Sequence, residues 1–103
     1  MKNFLISAIM LLSFSIVKAQ SNIWRGTSNE GFTTTFHRID KEKWAETNND
    51  GIFYYKEVKN EVCMITLKDV YRKGVFIKLS GKKCYYKDNN NDWVVIYNGN
   101  WQY

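Results

Sequence analysis

The 103-residue sequence has no proline, a single histidine and two cysteines. Without proline, tight turns fall to Asn, Asp, Gly and Ser, which favour turn geometry through their own backbone freedom and side-chain hydrogen bonds. One histidine leaves little for acid–base or metal chemistry. No nucleophile elbow, phosphate loop or paired zinc-ligand spacing occurs either. His37 closes the run Gly31-Phe32-Thr33-Thr34-Thr35-Phe36-His37 on the face opposite Phe32 and Phe36, a surface strand position rather than a catalytic base. The acidic residues lie mostly at turns, where carboxylates occur without chemistry, and opposed carboxylates of the glycosidase kind have no spacing to read. The expectation is a protein with no enzymatic activity, cofactor or bound metal.

A membrane-spanning stretch is also missing. The apolar run Phe4 to Val17 is about 14 residues, whereas a spanning helix needs roughly 20. It follows Met1-Lys2-Asn3 and precedes Val17-Lys18-Ala19, the pattern of an export signal cut before Gln20. Gln20 and Ser21 follow the cut, so no cysteine is placed to carry a lipid. Residues 1–19 are expected to be a signal peptide and 20–103 a single β domain, secreted or periplasmic, whose mature form does not span a membrane.

The mature part has 84 residues, with 13 Lys or Arg against 10 Asp or Glu. A net charge near +3 speaks to solubility and gives slight support to an anionic partner. Aromatics stand out: 15 of the 84 residues are Phe, Trp or Tyr. Rings suit pleated, half-buried surfaces, but one small core cannot hide all of them.

Strand-like runs recur with turn residues between them, and no helical period of useful length follows Gln20. The strands expected are 31–37, 43–46, 52–58, 61–67, 74–79, 82–87, 92–97 and 100–103. Thr47-Asn48-Asn49-Asp50-Gly51, Ser80-Gly81, Asp88-Asn89-Asn90-Asn91 and Asn98-Gly99 supply turns. The fold expected is all-β: an antiparallel meander of seven or eight short strands, a curled sheet or small barrel.

The cysteines pull in two directions. An exported protein with two of them suggests one disulfide, Cys63 to Cys84. The strand pattern pairs 67 with 75 and 63 with 79, then 79 with 82 and 77 with 84. Both cysteines then share a face with a strand between them, roughly 10–12 Å apart, beyond the reach of a disulfide. Either the strand order differs or both thiols pack as small core residues.

Asp88-Asn89-Asn90-Asn91-Asp92 begins like a calcium loop, but Trp93 stands where glycine is needed and Gly99 where a bidentate glutamate is needed. A polar hairpin turn is the better reading. Lys78, Lys82, Lys83 and Lys87 with Tyr85 and Tyr86 form a basic and aromatic set, interrupted by Asp88 and Asp92. Lysines on strands also protect sheet edges, so no nucleic-acid partner is expected. In Leu67-x-Asp69-x-x-Arg72, Asp69 is placed to cap a turn and pair with Arg72, a structural role.

The C-terminal stretch carries the functional expectation. Asp92, Trp93, Tyr97, Asn98, Asn100 and Trp101 mix rings with amide and carboxylate groups. A ring stacks on the apolar face of a sugar, and amides answer its hydroxyls. The alternative is that Trp93 and Trp101 are pegs closing a barrel seam.

Phe32-Thr33-Thr34-Thr35, Trp44-Ala45-Glu46, Phe53-Tyr54-Tyr55, Leu67-Lys68-Asp69-Val70-Tyr71-Arg72, Val75 to Leu79 and Lys82-Lys83-Cys84-Tyr85-Tyr86-Lys87-Asp88 together resemble a small bacterial β module found beside mannan-binding lectin modules. The resemblance implies a link to carbohydrate by association and transfers no binding residues. The sequence departs from it in its cysteines at 63 and 84 and in having no companion domain. Ser80-Gly81-Lys82-Lys83-Cys84-Tyr85 followed by Trp93 also resembles, more loosely, a segment of exported lysozyme inhibitors, which are small β barrels. A positive net charge does not suit a basic enzyme target. The leading expectation is a secreted binding module for glycan or cell-envelope polymer. The alternatives are a factor that binds a protein partner, such as a hydrolase inhibitor, or a structural surface protein with no discrete site.

Overall fold

The computed structural model describes residues 21–103; the expected export signal and its cleavage before Gln20 lie outside the described residues. Among the described residues, eight antiparallel strands run in order round a closed barrel. They are β1 (Ile23–Thr27), β2 (Thr33–Arg38), β3 (Lys43–Asn48), β4 (Gly51–Glu61), β5 (Met64–Asp69), β6 (Phe76–Leu79), β7 (Lys83–Lys87) and β8 (Val94–Gln102). Each strand pairs with its neighbour in sequence, and β1 pairs with β8 to close the cylinder.

An eight-stranded barrel is just wide enough for side chains to fill its inside. The filling is aromatic at one side and aliphatic at the other. Trp24, Phe36, Trp44, Tyr55 and Trp101 meet Ile65, Leu67, Ile77, Leu79 and Cys84. Trp24 meets Phe36 edge-on at 6.2 Å, and Trp44 meets Trp101 in the same way at 6.2 Å. The buried Trp24 indole N–H donates to the Ser80 carbonyl at 2.7 Å, so β1 is tied across the barrel to the turn between β6 and β7.

Two differences from the sequence expectation explain how the barrel closes. Ile23–Thr27 is a strand with Trp24 and Gly26 turned inward, although its five residues carry no turn or alternation strong enough to mark it. Asn98-Gly99 is not a turn but the middle of β8. Gly99 pairs with Gly26 at the closing seam. A Cβ on Gly99 would stand 2.1 Å from the Arg25 carbonyl oxygen, and one on Gly26 would stand 2.5 Å from the Trp24 ring. These glycines serve close approach between backbones, not a reversal of the chain.

The cysteine region differs in register. Leu67 pairs with Ile77, Ile65 with Leu79, and Leu79 with Cys84. Each is shifted by two residues from the expected pairing. The turn after β6 is Gly81-Lys82, because the Ser80 N–H bonds the Lys83 carbonyl at 2.9 Å and the Ser80 hydroxyl accepts from the Lys83 N–H at 3.0 Å. A shift of two leaves the same residues facing inward, so Cys84 stays in the core. Cys63 does not. It sits exposed in the turn between β4 and β5 with φ 64°. Both cysteines are free thiols, with Cys84 packed as a core residue and Cys63 a turn residue.

The turn reading of Asp69 and Arg72 holds. One Asp69 oxygen accepts from the Tyr71 and Arg72 N–H groups at 2.8 and 2.6 Å, and the other accepts from Arg72 Nε at 2.6 Å. The loop before β8 is likewise a polar turn. Asp88 Oδ1 accepts from the backbone N–H groups of Asn90 and Asn91 at 2.9 and 2.8 Å, and these bonds hold its carboxyl below the usual range.

Candidate functional site

The six residues singled out in the C-terminal stretch separate according to an irregularity in β8. Cys84 pairs with Tyr97 but Tyr85 pairs with Val95, so one extra residue, Ile96, is inserted into the last strand. A bulge of this kind reverses which face alternate side chains occupy. Trp93 and Val95 therefore stand outside the barrel, while Tyr97 and Trp101 point inward.

Trp101 is 7% exposed and packs on Trp44. It is a peg of the seam, which removes it from a sugar platform. Tyr97 is half-buried. Burial, with the nearby Glu46 charge, pushes its ionisation up. Asn100 is exposed opposite Arg25, and its amide is within hydrogen-bond distance of the Gly81 carbonyl at the turn after β6. Asn98 is exposed opposite Lys83, and Asp92 is exposed beside Trp93. The structure thus brings Trp93, Asp92 and Asn98 to the outer wall and takes Trp101 and Tyr97 inside.

Trp93 has company that the linear reading kept apart. Its ring lies 4.2 Å from the Lys78 ammonium and 5.9 Å from that of Lys87. Lys78 pairs with Tyr85, and Tyr85 with Val95. Inward-facing Ile77, Leu79 and Cys84 put Lys78, Tyr85 and Lys87 on the outer face. The basic set and the aromatic tail, read separately from the sequence, form one wall of β6, β7 and β8. Cations over an indole ring contribute about 0.5–1 kcal/mol at exposed sites and hold the ring in a fixed position.

A second feature escaped the sequence reading. Outside β3 and β4 lies a groove of about 830 Å³ lined by Ile39, Lys43, Tyr54, Lys56, Val70 and Tyr71, among others. Tyr71 is 80% exposed. The available signal was the alternation of Phe53-Tyr54-Tyr55-Lys56, which places Tyr54 and Lys56 opposite the buried Tyr55. Tyr71 and Ile39 belong to turns, so no periodicity marks them.

Inside the barrel, Glu46 is buried and fully engaged. It accepts from the Thr34 hydroxyl at 2.6 Å, the Tyr55 hydroxyl at 2.8 Å and the Asn48 amide at 3.1 Å. Arg72 donates to the Tyr55 hydroxyl at 3.0 Å, linking this group to Asp69. Burial, then the Glu46 charge, drives Tyr55 ionisation far above its ordinary range. A buried carboxylate is tolerated when its lone pairs are answered in this way. These bonds hold β2, β3, β4 and the loop after β5 in register. At the other end Arg38 pairs with Glu57 at 2.8 Å while its guanidinium covers the Trp44 ring at 4.7 Å. Among the buried polar side-chain atoms of the described residues, the Thr66 hydroxyl and the Trp101 indole N–H have no hydrogen-bond partner. Comparison with protein-family models, with curated proteins and with solved structures finds no match to this chain.

Proposed function

We propose that the protein is a secreted binding module for glycan or cell-envelope polymer, and that it binds through the outer wall of β6, β7 and β8 without chemical turnover. The observation that carries this reading is the outward, half-buried Trp93 with the Lys78 and Lys87 ammonium groups over its ring. A ring fixed by its neighbours loses little freedom on binding, which is how a small flat platform reaches useful affinity. Tyr85 and Val95 extend the wall's apolar surface, and Asn98 adds an amide at its edge. The resemblance to a module found beside mannan-binding lectin domains points the same way.

The test is a panel of soluble polysaccharides and cell-wall fragments, followed by tryptophan fluorescence. Binding should change the emission of wild-type protein, and Trp93→Ala should bind none of the panel while keeping its fold. A panel without a single binder would refute the reading. A second reading, a protein-binding factor, draws on the groove beside β3 and β4, where exposed Ile39, Val70 and Tyr71 adjoin. Such a factor would retain one protein from an extracellular fraction and ignore every sugar.

A further inference from the structure

The strand register places lysines in a row that no adjacent stretch of sequence shows. Lys43 pairs with Lys56, and Lys56 pairs with Lys68. Lys68 then pairs with Phe76, and Phe76 with Lys87, which adjoins Trp93. The buried residues beside the first four, Trp44, Tyr55, Leu67 and Ile77, put those four on the outside, and Lys87 joins them as the cross-strand partner of Phe76. One belt crosses five strands, from the groove beside β3 to the Trp93 wall, a path of roughly 19 Å at ordinary strand spacing.

Like charges directly opposite one another on a sheet are destabilising. Three consecutive lysines in a cross-strand row are therefore a cost that the fold alone does not require. Among the described residues none of the belt lysines has an ion pair. Asp40 and Glu42 stand at the groove's rim, yet neither pairs with Lys43 or Lys56. Protection of sheet edges does not explain the row, because a closed barrel has no edges. The belt is also bordered by rings: Tyr54 and Tyr71 at the groove, Phe76 in the row, and Trp93 at the far end.

We infer that this belt is a track for a linear acidic polysaccharide, a chain of carboxylate-bearing sugars lying across the strands with its charges over the lysines and its sugar faces against the rings. The inference rests on the glycan reading above and gives its ligand a chemical class. Three cations on successive strands match a polymer with a repeating charge better than they match a single anion. Release of the polymer's condensed counterions would supply much of the affinity, so binding should weaken steeply with salt.

The experiment titrates purified protein with polygalacturonate, with neutral dextran and with single-stranded DNA over a series of salt concentrations, comparing wild type with Lys56→Gln, Lys68→Gln and the double variant. Polygalacturonate should bind and dextran should not. Each substitution should weaken binding about three- to fivefold at low salt, and the double variant about tenfold. The slope of log affinity against log salt should fall by about one per lysine removed. Because removing a like-charge neighbour relieves repulsion, both single variants should fold at least as stably as wild type, so a loss of binding is not a loss of fold. Equal binding of dextran and polygalacturonate, unchanged in the lysine variants, would overturn the belt and leave the glycan reading standing. Failure of both polysaccharides and of every other member of the panel would overturn the glycan reading and the belt with it. DNA binding as tight as polygalacturonate binding would overturn the acidic-sugar assignment.

Discussion

Trp93 leads into β8 and Trp101 lies near its end, and the barrel wall passes between them. Both are odd-numbered residues of one strand segment, so an unbroken two-residue period would place them on the same face. The residue inserted at Ile96 reverses that order. Beyond it, Trp101 is sealed against Trp44; before it, Trp93 stands under two lysine ammonium groups. The same side chain thus does two jobs within one strand. Inside, it is worth its burial. Outside, it is worth what it touches.

The sharpest way to break this comparison is to truncate each ring. Trp101→Ala opens a cavity at the closing seam and should cost about 3–5 kcal/mol, a large share of the stability of a domain this small. Trp93→Ala should cost no more than about 1 kcal/mol, the scale of its cation contacts. Urea denaturation of the two variants measures both. Equal losses would mean that the bulge does not divide the strand as described.

The interior can be weakened without touching a ring. Glu46→Gln keeps the size of the side chain but replaces one accepting oxygen with an NH2 group. At least one of the Thr34, Tyr55 and Asn48 donors is then left facing a donor. The expected loss is about 1–3 kcal/mol, read from the same denaturation curves, while binding at the outer wall stays as it was.

Alkali should weaken the interior. Burial raises the ionisation of Tyr55 and Cys84 above their ordinary values of 10.0 and 9.0, with the Glu46 charge adding to both. The folded state then holds these protons after the unfolded state has lost them. Stability is intact below about pH 9 and falls as the pH climbs past 9 and 10, because the unfolded state binds fewer protons there. Thermal unfolding measured from pH 7 to 11 should show that decline, and Cys84→Ala should remove the part that begins near pH 9.

The smallest effect belongs to the thiols. Native protein should react with one equivalent of a thiol reagent, at exposed Cys63, and denatured protein with two. Cys63→Ser should leave stability within about 0.5 kcal/mol of wild type.

Much of this architecture was legible because hydrophobic alternation and Asn-, Asp- and Gly-rich turns are local signals. The all-β meander and the bounds of β3 through β7 follow from them to within a few residues. Asp69 and Arg72 were readable for the same reason, since their partners lie within three positions. Three things were not legible, and each depends on contacts far apart in sequence. β1 is held by β2 and β8 rather than by its own pattern. Gly99 looks like a turn residue and is a seam residue only because Gly26 lies against it. The bulge at Ile96 leaves no mark on the side chains around it, so Trp101 and Tyr97 were placed with Trp93. The lysine belt was invisible for a related reason: Lys43, Lys56 and Lys68 become neighbours only when the register is known.

The division of β8 can be observed in a single experiment. The chain has four tryptophans, each with one indole N–H signal in a nitrogen–proton correlation spectrum. Titration with polygalacturonate should shift the Trp93 signal progressively while those of Trp24 and Trp101 stay in place. Movement of Trp101 with Trp93 unmoved would put the ligand at the seam, and would contradict the account.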